Sequence, residues 1–239
     1  MPNIDEYLTT FSEIEAHLAR AAAADGYLSP VALVRRLERT NRAVRVHADD
    51  ICKFAELRNV LVHERRNGKV LAQPTDETVA DIKKIAQALN SPPRVIPLFE
   101  REVVSLEKHE PIGAAVSIMR KLSLSQIPIT SGSEIVGLLT AEAVARWLAA
   151  ELSEEIVSLT ETAIEAVLPH AESDDQHKVL APRASLYDAL QLFEDYSKSG
   201  KNLHAILVTN NGKQVMPILG IMTTFDIPKI LMKLGIQSE

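Results

Sequence analysis

Two groups of residues in this 239-residue chain have types and spacings that could do chemistry. The first is Thr223 and Asp226, in the run Gly220-Ile221-Met222-Thr223-Thr224-Phe225-Asp226 that ends an aliphatic segment and opens a helix-like one. A carboxylate at a helix start can accept two hydrogen bonds from the cis-diol of a ribose, and a threonine hydroxyl three residues earlier can add another. The unpaired backbone N–H groups there favour a nearby phosphate. The structural alternative is that Thr223 or Asp226 simply caps the helix. The second group is Arg58, Asn59 and His63. On a helix, positions 58 and 63 lie about 140° apart, whereas Asn59 and His63 share a face. A single helix therefore does not bring Arg58 and His63 together, while two such helices side by side could.

Other chemistry finds little support. The chain has no Gly-rich phosphate loop of the GxxxxGK[ST] type and no GxSxG nucleophile turn. His170 and His177 flank Glu172, Asp174 and Asp175, but the spacing matches no metal-ligand pattern, so a solvated loop and no metal are expected. Cys52 is the only cysteine and is read as a small buried apolar residue.

The elements that must position these residues fall into two regions. Helix-spaced apolar residues run through 4–24, 29–45, 49–66 and 75–90, with Asn67-Gly68 as a turn and Pro74-Thr75 preceding a capped helix start. Ser91-Pro92-Pro93 stops that pattern, which places a boundary near residue 91 and predicts an all-α domain over 1–90. The region 91–239 contains itself twice, at about 95–150 and 170–236. Ile112, Ala115, Val116 and Met119 in the first copy, and Leu186, Ala189, Leu190 and Phe193 in the second, have the i, i+3, i+4, i+7 spacing of an amphipathic helix. A strand follows each helix, 127–130 and 205–209. A turn bearing Gly132 or Gly212 comes next, then a second strand, Ile135-Val136-Gly137-Leu138-Leu139-Thr140 or Ile218-Leu219-Gly220-Ile221-Met222-Thr223, and a closing helix.

The net charge of -6 argues against nonspecific nucleic-acid binding by the whole chain, but the charge is unevenly placed. Residues 35–69 carry ten basic and five acidic side chains, leaving the remainder at -11. Solvated helix faces explain this, and an anionic partner such as RNA at the N-terminal domain is the sharper alternative. No apolar stretch approaches the roughly 18 residues of a membrane span. The sequence starts without a secretory pattern, so a cytoplasmic setting is expected.

The repeated element order, with Gly-aliphatic-aliphatic-Thr leading into each final helix, resembles the CBS domain pair over about residues 95–236. This resemblance implies an α+β fold in which a helical bundle precedes a tandem β-α-β-β-α pair. It also implies an adenine nucleotide, AMP, ADP or ATP, in a cleft between the copies, with a sensing role and no cofactor. Carried over residue by residue, it makes Thr223 and Asp226 ribose ligands. Leu124, Ser125, Gln126, Ile127 and Ala115 complete the cleft from the first copy, and Lys201 supplies charge for phosphate. The two aliphatics are equally well read as core. In the first copy Ala143 stands where the ribose carboxylate belongs, so one nucleotide per chain is expected.

The segment Glu56-Leu57-Arg58-Asn59-Val60-Leu61-Val62-His63 resembles the HEPN group of helical bundles, which commonly dimerise and in some members cleave RNA through Arg and His. That implies a homodimer. The alternative function is a nucleotide-controlled, metal-independent ribonuclease, with His63 as acid or base and Arg58 stabilising a phosphorane. Against it stands a structural role for Arg58, Asn59 and His63 within the bundle. A structural repeat pair with an empty cleft is the third reading.

Overall fold

The computed structural model describes residues 2–63, 65–66, 69–70, 72–151, 158–171 and 177–236, and the side chains of 2, 65, 66, 69 and 70 fall outside the description. The chain divides into two compact units, Met1–Pro93 and Arg94–Glu239.

The first unit is built from α1 (Pro2–Ala21), α2 (Pro30–Leu37), α3 (Arg42–Val46), α4 (Ala48–His63) and α5 (Asp76–Asn90). A two-residue antiparallel pair, β1 (Arg65–Arg66) and β2 (Lys69–Val70), lies between α4 and α5. Tyr7, Phe11, Ile14 and Leu18 form one stripe of α1 and are fully buried with Ile51 of α4 and Ile82 of α5. The Tyr7 ring stacks on Phe11 with centroids 6.4 Å apart and meets Phe54 edge-on at 6.1 Å. Its hydroxyl donates to the Phe54 carbonyl at 2.7 Å, so the polar tip of a buried aromatic is satisfied.

The structure departs from the sequence expectations at two helices. The single helix anticipated over 29–45 is two helices, because Asn41 adopts extended backbone and accepts the Val44 N–H at 3.1 Å, starting α3 afresh. The third helix ends at His63 rather than 66, where Arg65–Arg66 becomes strand. The Asn67-Gly68 turn lies outside the described residues. Thr75 caps α5 by accepting the Thr78 N–H at 3.1 Å.

The second unit contains α6 (Val95–Leu98), β3 (Leu106–Glu107), α7 (Ile112–Leu122), β4 (Gln126–Ser131), β5 (Glu134–Thr140), α8 (Ala141–Ala150) and α9 (Ile164–Val167). It continues with β6 (His177–Leu180), α10 (Leu186–Lys198), β7 (Ala205–Thr209), β8 (Ile218–Met222) and α11 (Ile227–Leu234). The sheets β3-β4-β5 and β6-β7-β8 have one topology: the first pair is parallel and the second antiparallel. The sheets share an apolar cluster of Ile135, Leu138, Ala205, Leu207 and Ile218. Their outer faces carry helices, α7 and α8 on one side and α10 and α11 on the other.

Each half borrows a segment that the chain order assigns elsewhere. Val95 and Phe99, which precede the first sheet, are buried in the core of the second half with Leu186, Leu190 and Ile206. Ile164 and Val167, which precede the second sheet, are buried in the first half with Ile112, Ile129 and Trp147. Three backbone bridges fix this exchange, Arg94 with Ser185, Glu100 with Gly220 and Pro111 with Ala163. Among the described residues no helix is long and apolar enough to cross a membrane.

Candidate functional site

Three stretches of chain meet at one end of the second unit. They are residues 101–104 ahead of β3, residues 122–128 from the end of α7 into β4, and residues 221–226 where β8 passes into α11. Between them lies an open groove of about 420 Å³.

Asp226 sits in the turn that opens α11. Its Oδ2 accepts the Thr223 N–H at 2.8 Å and the Thr223 hydroxyl at 3.3 Å. Capping of the helix start is therefore part of what this carboxylate does. Oδ1 makes no hydrogen bond to protein among the described residues, and the side chain keeps 20% of its exposure in the groove. Arg101 faces it: the guanidinium donates to the Ile221 carbonyl and lies 3.8 Å from Asp226 Oδ2. The backbone of Arg101 is held independently, its N–H donating to Leu219 at 3.1 Å. With 48% of its side chain exposed, the guanidinium retains donors for an anion.

The rest of the lining is largely apolar, with Val104, Leu122, Leu124, Pro128 and Phe225 contributing. Phe225 is 90% exposed, an uncovered aromatic face beside the carboxylate. Ser125 donates to Gln126 Oε1 at 3.3 Å, and Gln126 Nε2 donates to the His204 carbonyl at 3.1 Å. Gln126 thus ties the rim of the first sheet to the approach of β7. A second hollow of about 360 Å³ adjoins the groove, shares Ser125, Gln126, Thr223 and Phe225 with it, and reaches Thr140, Glu142 and His204.

Of the residues expected to bind ligand, Thr223, Asp226, Leu124, Ser125 and Gln126 line the groove together. Ile127 and Ala115 do not. Both are fully buried in the core of the first half, because Ile127 faces inward on β4 and Ala115 lies on the inward stripe of α7. Lys201 is exposed and lies outside the groove lining, so the cation there is Arg101, which sequence reasoning missed. The missed signal is a basic residue just ahead of an extended Val103-Val104 run, on the segment that pairs with the far sheet. At the corresponding end of the first half, Thr140 accepts the Ala143 N–H at 3.1 Å, and Ala143 is buried and offers no carboxylate.

In the helical unit Arg58 donates to Asn59 Oδ1 at 3.4 Å and lines a hollow of about 290 Å³ with Glu15, Tyr27 and Leu33. His63 is exposed at the last turn of α4 and does not line that hollow, so within one chain the two groups are not brought together. Cys52 is half-buried against the core rather than enclosed, and burial, aided by the Asp49 charge, pushes its thiol pKa up, away from nucleophilic use. Glu172, Asp174 and Asp175 lie outside the described residues, and no group of three metal-ligating side chains occurs among the residues described.

The second unit thus pairs two three-stranded mixed sheets of one topology with covering helices, and an acid-bearing turn follows β8. Residues 96–150 match the family model for the CBS domain, so the chain contains a CBS domain there. Similar solved structures include an AcuB-type acetoin utilization protein from Vibrio cholerae. It has 18% identity and a TM-score of 0.45, with 60% of this chain and 93% of that one covered. A CBS domain-containing protein of unknown function from Bacillus anthracis has 24% identity and a TM-score of 0.40, covering 55% and 85%. The CBS domain of a membrane protein from Sphaerobacter thermophilus has 17% identity and a TM-score of 0.42, covering 59% and 88%. No curated protein matches the chain by sequence.

Proposed function

We propose that the second unit is a tandem CBS pair that binds one adenine nucleotide per chain, and that the protein is regulatory. One observation carries this reading: a single open groove holds a carboxylate with an uncommitted oxygen, a half-exposed guanidinium and an uncovered apolar wall. Asp226 Oδ1 would accept a ribose hydroxyl and Arg101 would meet phosphate oxygens. Leu122, Leu124 and Phe225 would cover the faces of a purine, in keeping with ligand sites lined mainly by apolar and aromatic side chains with a few polar groups that fix orientation. The helical unit, HEPN-like and homodimeric in this reading, carries the output in the cytoplasm. Nucleotide can act on it only through a difference in affinity between two arrangements of the chain.

Titration calorimetry with AMP, ADP, ATP and S-adenosylmethionine tests the proposal. Saturable binding of an adenine nucleotide at one site per chain is expected; no heat with any of the four would leave the pair structural, with an empty groove. A second reading couples the same sensor to RNA cleavage, and the exposure of His63 and Asn59 at the end of a helix in a basic segment favours it. Cleavage by wild type that disappears in His63→Ala would select it, and a wild type inert towards single-stranded RNA would reject it.

A further inference from the structure

At the opposite end of the second sheet, three loops converge on a cavity of about 570 Å³ that the nucleotide reading does not use. Arg94 forms a backbone bridge with Ser185, and the Val95 N–H donates to the Ala184 carbonyl at 2.9 Å, which fixes Arg94 beside the loop 181–183. The turn after β7 closes the third side. Gly212, at φ +70°, approaches so closely that a Cβ would lie 3.0 Å from the Ala181 nitrogen. Among the described residues the cavity is lined by Arg94, Arg183, Asn210 and Asn211 together with apolar residues that include Ile96 and Pro182, and by no acidic side chain. Neither arginine has an ion pair or side-chain hydrogen bond among the described residues. A formal charge of +2 is thus focused in a concave site on a chain of net charge -6.

The first half shows what this place looks like without such a role. Matching the bridges and strand registers sets Ala163 against Arg94, His109 against Arg183 and Glu107 against Ala181. In the first half the Glu107 carboxylate occupies the turn, accepting Thr130 Oγ1 and the Gly132 N–H, each at 3.1 Å. In the second half alanine stands in place of that carboxylate, and arginine replaces both alanine and histidine. The charge at this end is reversed between two halves of the same topology.

We infer that this cavity is an anion site for a phosphate-bearing small molecule, separate from the groove at Asp226. Two guanidinium forks and two carboxamides are the donor set that phosphate oxygens take, and the apolar floor accommodates an organic body. Inorganic pyrophosphate is a direct probe by titration calorimetry. Wild type is expected to bind it, Arg94→Ala and Arg183→Ala each to weaken it at least tenfold, and Ala181→Glu, which restores the carboxylate of the first half, to abolish it without lowering the melting temperature. No heat with wild type overturns the inference. So does loss of binding on Arg101→Ala with retention in both the Arg94 and Arg183 variants, which assigns the anion to the groove.

Discussion

Replacing Gly220 with alanine is expected to destabilise the second unit severely, by about 3 kcal/mol or more, the upper end of what overpacking costs. A Cβ at this position would lie 2.1 Å from the Phe99 carbonyl oxygen, a backbone atom that cannot swing aside. Phe99 is pinned there by its own burial and by the bridge between Glu100 and Gly220. Moving it would pull Val95 and Phe99 from the core they complete with Leu186 and Leu190. The matching glycine of the first half gives the control. At Gly137 a Cβ would lie 3.4 Å from the Leu168 methyl carbons, at the near edge of ordinary contact with the end of a flexible side chain. Gly137→Ala is therefore expected to shift the urea midpoint little. Equal midpoints for the two variants would refute the exchange of segments described for the fold.

The second large effect is expected at Arg101. Arg101→Ala should weaken nucleotide binding by about ten- to a hundredfold, the range corresponding to loss of one charged hydrogen-bonding group. The loss should grow from AMP to ATP if the guanidinium meets phosphate. Arg101 also donates to the Ile221 carbonyl, so a structural contribution must be separated from a binding one. Arg101→Lys keeps the charge without the fork and should recover part of the affinity, whereas a purely structural arginine would show no such rescue. Asp226→Asn supplies the complementary test. It retains one acceptor oxygen but loses the charge that faces Arg101, and it should weaken adenosine-containing ligands and spare free pyrophosphate. Melting temperatures of all three proteins identify any loss that reflects unfolding.

Much of the architecture could be read from side-chain periodicity, because the helices that cover the sheets show the sheet one stripe each. Ile112, Ala115 and Met119, and again Leu186, Ala189, Leu190 and Phe193, are buried as their spacing implies. The groove was only partly legible. Thr223 and Asp226 stand three apart at a strand-to-helix junction, a local pattern, and Ser125 and Gln126 lie on the approach to a strand. Arg101 had no local pattern, since its place follows from backbone pairing with Leu219 across more than a hundred residues. Ile127 and Ala115 were ambiguous for the opposite reason: an aliphatic residue beside a cleft and one beneath it look alike until the strand's inward face is known. Symmetry with the other half points to Lys201, but the loop that carries it closes back on Tyr196 through its backbone, away from the groove lining. The break at Asn41 was visible as a capping residue type, yet the apolar pattern continues through it and concealed the division into α2 and α3.

If the groove beside Asp226 holds the sugar of a nucleotide, crystals grown at saturating ADP show it most directly. Density is expected with a ribose hydroxyl within hydrogen-bond distance of Asp226 Oδ1, a phosphate at the Arg101 guanidinium and the base against Leu124 and Phe225. Nucleotide bound anywhere else on the second unit, with Oδ1 still without a partner, would contradict it.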